Sequence, residues 1–418
     1  MLHRTQSSPH APWRGRAPDL YFGVPRRRVV TCLVLLCVCA AVASALSAAA
    51  APTVEAAADS WPTFRGNRQF QGVAPGTLPE SLQRAWIYET KAPIRSSPVI
   101  RDGVVYVGSD DEHLHAIDAA RGTRRWATPV GAPIEAPPLI AGDRIFVGTS
   151  DGELLALDAR TGAVAWRFAT EDRIVSSANW IAPDPQTGAG PAVVVGSYDH
   201  HLYCVEADSG RLRWKYASND FINGAAAIAG SVAVFGGCDG HVHMVALDGG
   251  ARRGSIEIGE PIEGTIATSG DLGYVGHYGN QLVCIDLAKQ EVVWTFQQRE
   301  FPVFSSPAIG RDRVVFGSRG RRVYCADRTD GRLVWEFPTR GKVDSSPVIC
   351  GDRVVVGSDD GRLYVLRLDN GQEIWNYQVG EAITGSPAVA GGRVVVGAED
   401  GRVYAFASAR NEERADGR

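Results

Sequence analysis

The chain has 418 residues, of which 44% are hydrophobic and 22% charged, so it can bury a large core and is not a disordered polypeptide. Its net charge is −4, but residues 1–50 carry six arginines against one acidic residue, which leaves −9 for residues 51–418. A net acidic domain without a basic run lacks the groups that neutralise phosphates, so we expect no nucleic-acid partner.

The N-terminal residues 1–51 have the layout of an export signal. Three arginines at 26–28 precede an apolar run at 29–46 and then an alanine-rich stretch. Small side chains at Ala43 and Ala45 suit a signal peptidase, while an apolar run of about 18 residues is also just long enough to cross a bilayer. The sequence predicts an exported protein of the periplasm or cell envelope, with the leader either cleaved as a signal peptide or kept as a membrane anchor.

Residues 52–83 form an N-terminal segment that contains WPTFRGNRQFQG from Trp61 to Gly72. Aromatic side chains bury large areas when they pack. We therefore expect this segment to pack across one face of the domain that follows rather than to act in catalysis.

A repeat of about 40 residues begins at Trp86 and continues to the C-terminus. One copy, starting at Ser345, reads SSPVICGDRVVVGSDDGRLYVLRLDNGQEIWNYQVG and contains four short β-rich runs separated by turn signals. The pairs Asp360–Gly361 and Asn370–Gly371 predict two-residue hairpin turns with positive φ angles. Each copy is therefore expected to form a four-stranded antiparallel meander.

The copies can be counted through two independent markers. The glycine that ends the second strand recurs eight times, at Gly108, Gly148, Gly196, Gly236, Gly276, Gly317, Gly357 and Gly397. The tryptophan of the fourth strand recurs seven times, with Gly254 in the eighth place, at Trp86, Trp126, Trp166, Trp214, Trp294, Trp335 and Trp375. Because Trp86 precedes any first strand and the last copy ends near Phe406, segment 84–89 should supply the outer strand of the last copy.

The predicted fold is an all-β, eight-bladed β-propeller of four-stranded antiparallel blades over residues 84–407, closed by an N-terminal strand. A linear solenoid would need atypical capping repeats, which the sequence lacks. Residues 408–418 are expected to form a polar, disordered tail.

The repeat carries a family resemblance. The stretch ALDARTGAVAW, from Ala156 to Trp166, resembles the A-x-D-x-x-T-G-x-x-x-W docking motif of PQQ-type (pyrroloquinoline-quinone) propellers, and degraded copies start at Val205 and Cys325. The W-P-x-F-R-G preface is similar to that of many exported bacterial propellers of this group. The resemblance covers residues 61–407 and implies a quinoprotein alcohol dehydrogenase-like fold in which the seven tryptophans are structural docking residues.

Exported propellers of this family include quinoprotein dehydrogenases and non-enzymatic scaffolds such as the BamB-type outer-membrane protein assembly factor. The dehydrogenases are much longer and typically carry an adjacent cysteine pair over the quinone and Glu, Asn and Asp ligands for calcium. This chain has no Cys-Cys pair and no C-x-x-C-H haem site.

The resemblance therefore favours a monomeric, non-catalytic scaffold that binds a protein partner, with no catalytic residues and no cofactor. Two alternatives stay open. One is a small quinoprotein oxidoreductase that uses PQQ and calcium, and the other is a ligand-binding sensor propeller.

Histidines and cysteines give no clear site. His113 and His115, like His241 and His243, lie two apart on a strand, but the aligned positions vary among blades, which is typical of inter-blade residues and predicts no metal. Five cysteines follow the leader, an odd number that does not indicate a disulfide framework. Three of them, Cys204, Cys284 and Cys325, share a repeat position that alanine fills elsewhere, so we expect buried structural thiols.

Stacking the repeats at the start of the innermost strand gives the candidate binding residues. We call these eight positions, which should surround one mouth of the central channel, the mouth ring: Arg95, Glu135, Val175, Asn223, Glu263, Phe304, Asp344 and Thr384. Three acids, one arginine and one amide converge there. Such concave positions are where propellers bind ligands, and the acidic charge favours a cation or a basic protein segment. A solvated mouth without a ligand is the alternative.

Overall fold

The computed structural model describes residues 57–298 and 300–408. The predicted signal or anchor segment at 1–51 and residues 409–418 of the predicted tail lie outside this part of the chain. Within the described residues, no helix is long and apolar enough to cross a membrane.

The described residues form an all-β structure of 33 strands in eight sheets. Two strands precede the repeats, β1 (Val73–Ala74) and β2 (Gln83–Glu89). Blade 1 contains β3 (Val99–Arg101), β4 (Val104–Gly108), β5 (His113–Asp118) and β6 (Arg124–Pro129). Blade 2 contains β7 (Leu139–Ala141), β8 (Arg144–Gly148), β9 (Glu153–Asp158) and β10 (Val164–Ala169). Blade 3 contains β11 (Asn179–Ile181), β12 (Ala192–Gly196), β13 (His201–Glu206) and β14 (Leu212–Ala217).

The next blades repeat this order. Blade 4 contains β15 (Ala227–Ala229), β16 (Val232–Gly236), β17 (His241–Ala246) and β18 (Arg252–Glu257). Blade 5 contains β19 (Ala267–Ser269), β20 (Leu272–His277), β21 (Gln281–Asp286) and β22 (Glu291–Gln297). Blade 6 contains β23 (Ala308–Ile309), β24 (Arg313–Ser318), β25 (Arg322–Asp327) and β26 (Leu333–Pro338). Blade 7 contains β27 (Val348–Cys350), β28 (Arg353–Gly357), β29 (Arg362–Arg367) and β30 (Glu373–Gln378), and blade 8 contains β31 (Ala388–Ala390), β32 (Arg393–Ala398) and β33 (Arg402–Ala407).

Strand β2 closes the ring. It pairs antiparallel with β33, so that the sheet order of blade 8 is β2-β33-β32-β31, and Trp86 lies opposite Ala405. This confirms the predicted eight-bladed propeller closed by an N-terminal strand. Strand β1 adds a short parallel pairing to β27 and gives blade 7 a fifth strand.

The predicted two-residue hairpin turns are wrong. Strand β28 ends at Gly357 and β29 begins at Arg362, and of the pair Asp360–Gly361 only Gly361 has a positive φ, of 75°. The Asp360 carboxylate instead accepts hydrogen bonds from the backbone N–H of Arg362 at 2.9 Å and from the hydroxyl of Tyr364 at 2.8 Å. The side chain thereby stabilises a longer turn, which does not need a second positive φ angle.

The motif tryptophans join neighbouring blades. In six of them the indole N–H donates to a backbone carbonyl of the next blade, as Trp335 does to Leu368 at 2.8 Å. The ring lies over the glycine of the next turn, so that a Cβ on Gly371 would meet Trp335 at 2.6 Å. The seventh, Trp375, packs edge-on against Phe406 with ring centroids 5.2 Å apart.

Two buried histidines, His115 and His243, also lie between blades. His115 bonds Tyr88 of β2 through Nδ1 at 3.0 Å and Asp111 through Nε2 at 3.1 Å. His243 makes the same two contacts, with Tyr216 and Asp239, at 3.1 and 3.0 Å. No group of three or more His, Cys, Asp or Glu side chains in the described ranges could hold a metal ion.

All five described cysteines are free thiols, and four of them are buried: Cys204, Cys284, Cys325 and Cys350. Burial raises the pKa of Cys204 to about 12. Cys238 is the partly exposed one and lies in the turn that follows β16.

Candidate functional site

Each mouth-ring residue is positioned by a buried β-branched neighbour. Ile134, just before Glu135, packs on Gly108 of the preceding blade so closely that a Cβ there would lie 2.1 Å from its Cγ2. Ile94, just before Arg95, makes the same contact with the glycine that ends the second strand of blade 8. The recurring glycine is therefore needed at every junction, and the contact fixes where each innermost strand starts.

The mouth ring surrounds one central cavity. All eight of its residues line this cavity, which has a volume of about 290 Å³ and is bounded by side chains from every blade. The Arg95 side chain is 44% exposed, which places the mouth ring at the solvent side of the cavity. The structure thus brings together the residues that the repeat alignment placed at one channel mouth.

Hydroxyl groups line the cavity two residues further along the innermost strands. We call these the hydroxyl ring: Ser97, Ser177, Thr265, Ser306, Ser346 and Ser386. Five of the six hydroxyls accept a hydrogen bond from a backbone N–H of the preceding blade, at 2.8 to 3.1 Å. These bonds tie successive blades together around the cavity wall.

Residues 61–72, which we call the floor loop, close the other side of the cavity. Their carbonyls accept hydrogen bonds from the innermost-strand N–H groups of six blades, at 2.8 to 2.9 Å, from Ile100, Ile140, Ile228, Thr268, Ile309 and Ile349. Trp61 and Phe70 are buried, and Phe64 lines the cavity. The W-P-x-F-R-G preface is therefore an architectural element that forms the floor of the candidate site.

A second ring of mouth residues was not recognised from the sequence. It occupies the second position after the glycine that ends each second strand, and we call it the turn ring: Asp110, Ser150, Tyr198, Cys238, Tyr278, Arg319, Asp359 and Glu399. The backbone N–H of each of these residues donates to the loop just before the mouth-ring residue of its own blade. The sequence signal for this ring is its fixed distance of two residues from the recurring glycine.

Ion pairs between the mouth ring and the turn ring neutralise part of the charge at the mouth. Arg319 binds Asp344 in a bidentate ion pair, with Nε and Nη2 each 2.9 Å from a carboxylate oxygen. Arg95 donates to Asp110 and lies 3.7 Å from Glu399. These arginines are therefore already engaged by the chain's own carboxylates.

Carboxylates outnumber cations around the mouth. The two rings contain six carboxylates, Asp110, Glu135, Glu263, Asp344, Asp359 and Glu399, against two arginines, Arg95 and Arg319; Arg173 also lines the cavity, and Arg321 and Lys342 lie nearby. Burial, followed by the charge of Asp344, raises the pKa of Asp359. Burial also raises the pKa of Asp110 and of Glu263, and neighbouring carboxylates add to both shifts. The mouth therefore carries negative charge that the chain only partly compensates.

Aromatic side chains occupy the part of the mouth formed by blades 3 to 6, where Tyr278 donates to Glu263. Tyr198 stacks on Phe221 with ring centroids 4.9 Å apart, and Tyr278 lies 4.5 Å from Phe304. The Arg319 guanidinium lies 3.9 Å above the Phe304 ring. Three aromatic residues remain well exposed beside the cavity, and we call them the aromatic crescent: Phe221 (39%), Tyr278 (45%) and Phe301 (47%).

Comparisons with known proteins agree with this architecture. The family model described as outer membrane protein assembly factor BamB matches residues 78–179, 168–249 and 238–416. Among solved structures, BamB from Moraxella catarrhalis is 20% identical, with a TM-score of 0.66 over 78% of this chain and 100% of that chain. Quinohemoprotein alcohol dehydrogenase from Comamonas testosteroni is 13% identical, with a TM-score of 0.72 over 85% of this chain and 82% of that chain.

A europium-containing methanol dehydrogenase is also 13% identical, with a TM-score of 0.72 over 85% of this chain and 99% of that chain. At such identities these structural matches show the fold alone. No curated protein sequence matches the chain. Since the family model covers most of the chain and the eight blades have PQQ-type neighbours, the chain belongs to the PQQ-repeat propeller family described as outer membrane protein assembly factor BamB.

Proposed function

We propose that this protein is a non-catalytic, exported scaffold of the cell envelope that binds a protein partner at its channel mouth, as a BamB-like factor in outer-membrane protein assembly. The observation that carries the proposal is the aromatic crescent beside a mouth with surplus carboxylates. Exposed aromatic residues that lie together mark interaction surfaces, and aromatic anchors dominate binding energies.

The charges of the mouth define the partner's chemistry. An acid-rich concave surface attracts cations, so the partner segment should carry a lysine or arginine next to apolar side chains. The basic side chain would enter between Glu135 and Glu263, whose carboxylates line the cavity. The apolar side chains would pack on Phe221 and Phe301.

The quinoprotein alternative fits these residues poorly. PQQ is a polycarboxylate, and it would meet the Glu135, Glu263 and Asp344 carboxylates, which repel it. Of the three arginines that line the cavity, Arg95 and Arg319 are paired with Asp110 and Asp344, which leaves Arg173 against three carboxylates. The chain also lacks the adjacent cysteine pair that dehydrogenases of this family typically carry.

Capture from envelope extract tests the proposal. The immobilised mature chain is compared with Phe221→Ser/Phe301→Ser and with a control that removes equally exposed apolar groups from outer strands, Leu212→Ser/Leu333→Ser. We expect a partner from the β-barrel assembly machinery that the crescent variant loses and the control retains. Equal capture by all three proteins would refute the mouth as the binding surface, and capture of soluble electron carriers instead would favour the quinoprotein.

A further inference from the structure

Arg65 is a buried cation without a hydrogen-bond partner among the residues that the structure describes. Its side chain is 1% exposed, and none of its three guanidinium nitrogens donates a hydrogen bond to a described residue. The hydroxyls of Thr63 and Thr268, which are also buried, have no hydrogen-bond partner among the described residues either. Thr63 belongs to the floor loop, and Thr268 bonds that loop through its backbone N–H.

The backbone holds Arg65 in this position. Its φ is +60°, in the left-handed region, and its carbonyl accepts the N–H of Gly72 at 3.0 Å, which closes the loop on itself. The guanidinium lies against Gly72 so closely that a Cβ there would be 1.9 Å from Nη2. Because the loop is also bonded to six blades, the side chain cannot leave the interior without opening the floor.

The buried guanidinium is charged at neutral pH. Burial lowers its pKa to about 9, which still leaves the group protonated. Proteins retain a buried charge when it is paired or fully hydrogen-bonded. A guanidinium offers only donors, and no described residue accepts a hydrogen bond from this one, so its charge calls for an acceptor that the described residues do not supply.

We propose that the floor loop binds a small monovalent anion of chloride size, held by the Arg65 guanidinium with the hydroxyls of Thr63 and Thr268. The anion supplies the acceptors and the negative charge that the chain does not. It would fasten the floor loop to the inner strands and so stabilise the closed end of the channel. This site does not depend on what binds at the mouth.

Anomalous diffraction on the wild-type chain tests the site directly. Crystals are grown with bromide as the only halide, and data are collected at the bromine edge and at a long wavelength that also detects chloride. We expect an anomalous peak in contact with the Arg65 guanidinium. Density without anomalous signal at both wavelengths would mean water at this position and would overturn the proposal.

A halide titration gives an independent readout. With gluconate as the replacing anion at constant ionic strength, raising bromide from ten-fold below to ten-fold above its Kd should raise the wild-type Tm by roughly 2 °C. Arg65→Met and Gly72→Ala should lose this dependence, whereas Arg311→Met, which removes an exposed arginine, should keep it. The same halide dependence in Arg65→Met and the wild type would contradict the site.

Discussion

Gly254 of blade 4 and Gln290 of blade 5 face each other across the junction of these two blades. Here the earlier blade supplies the small residue and the later blade the large one, which is the reverse of the tryptophan–glycine pairs. A Cβ on Gly254 would lie 2.7 Å from Oε1 of Gln290, whereas at the junction of blades 6 and 7 Trp335 lies over Gly371. Met244 also fills this space, since its Cε lies 2.4 Å from the same added Cβ. Two large side chains thus replace the missing tryptophan, and Gln290 takes the positive φ, of 59°, that glycine has elsewhere.

This exchange predicts a rescue by repacking. Gly254→Trp alone should lower the free energy of unfolding by about 1 to 3 kcal/mol, because the indole would overpack a filled space. Adding Met244→Ala and Gln290→Gly removes both obstacles and relieves the strained φ angle, so the triple variant should recover the wild-type value. Urea unfolding measures all three proteins. A triple variant as unstable as the single one would contradict the compensation.

Closure of the ring predicts different effects for two N-terminal deletions. Removing residues 52–80 takes away the floor loop and β1 but leaves β2, while removing residues 52–90 also leaves β33 with a free edge. Both deletions should lower the Tm, but only the longer one should cause aggregation, because unpaired strand edges associate. Calorimetry and light scattering measure these effects. If the longer deletion stays monomeric with an unchanged Tm, the closing role of β2 is wrong.

The blades were predictable because their junctions impose residue types. Glycine must stand at the end of each second strand or one residue before it, since Ile134 and its equivalents leave no space for a Cβ, and this requirement repeats with the blade. The floor-loop contacts were not predictable, because backbone N–H groups donating to backbone carbonyls leave no side-chain signature. The Arg319–Asp344 pair could not be read from the alignment either, since it joins different repeat positions in neighbouring blades.

The inter-blade histidines predict a loss of stability in mild acid. Burial lowers the pKa of His115 and of His243, so below about pH 6.5 the unfolded chain binds more protons than the folded one. At Asp111 and Asp239 burial raises the carboxyl pKa, but hydrogen bonds lower it by more, so that the pKa is lowered overall. The stability that these carboxylates contribute is therefore lost as the pH falls further through the acidic range. The free energy of unfolding should therefore fall between pH 6.5 and 5.

Tyrosine occupies the same strand position in other blades and bonds the equivalent aspartate, as Tyr364 does with Asp360 at 2.8 Å. His115→Tyr/His243→Tyr should therefore fold and flatten the decline between pH 6.5 and 5. The control His113→Gln/His241→Gln changes the outer histidines of each pair and should keep the decline. Urea unfolding at pH 8, 6.5 and 5 gives the slopes, and equal slopes in all three proteins would exclude His115 and His243 as the cause of the decline.

Because the carboxylates of the mouth ring would repel PQQ, we expect that the purified chain does not bind it. Incubation with PQQ and calcium should give no quinone absorbance on the protein after gel filtration and no dye-linked alcohol oxidation. Replacing Glu135 and Glu263 by their amides should not create a site, because Arg95 and Arg319 remain paired with Asp110 and Asp344. Saturable, stoichiometric quinone binding would instead support the oxidoreductase.

The last prediction concerns the acids of the mouth ring, Glu135, Glu263 and Asp344. Their amide variants, combined in one chain, should barely change folding. The pKa of Glu263 is raised by burial, so losing its charge removes an unfavourable term. The Asp344 side chain is 20% exposed and its Arg319 partner 35%, so losing this partly screened pair should cost on the order of 1 kcal/mol.

Partner binding should respond much more strongly. Removing three negative charges from a concave surface weakens its field, so the triple variant should bind the captured partner at least ten-fold more weakly, with a shallower dependence of log Kd on salt. The control Asp208→Asn/Glu257→Gln/Asp369→Asn removes the same charge from exposed positions in the turns and outer strand and should bind like the wild type. Surface plasmon resonance at several salt concentrations measures the partner affinity of the mouth variant and of the control. If the mouth variant binds with unchanged affinity, its acids are a solvated rim, and the partner must contact outer loops such as the insertion at 183–191.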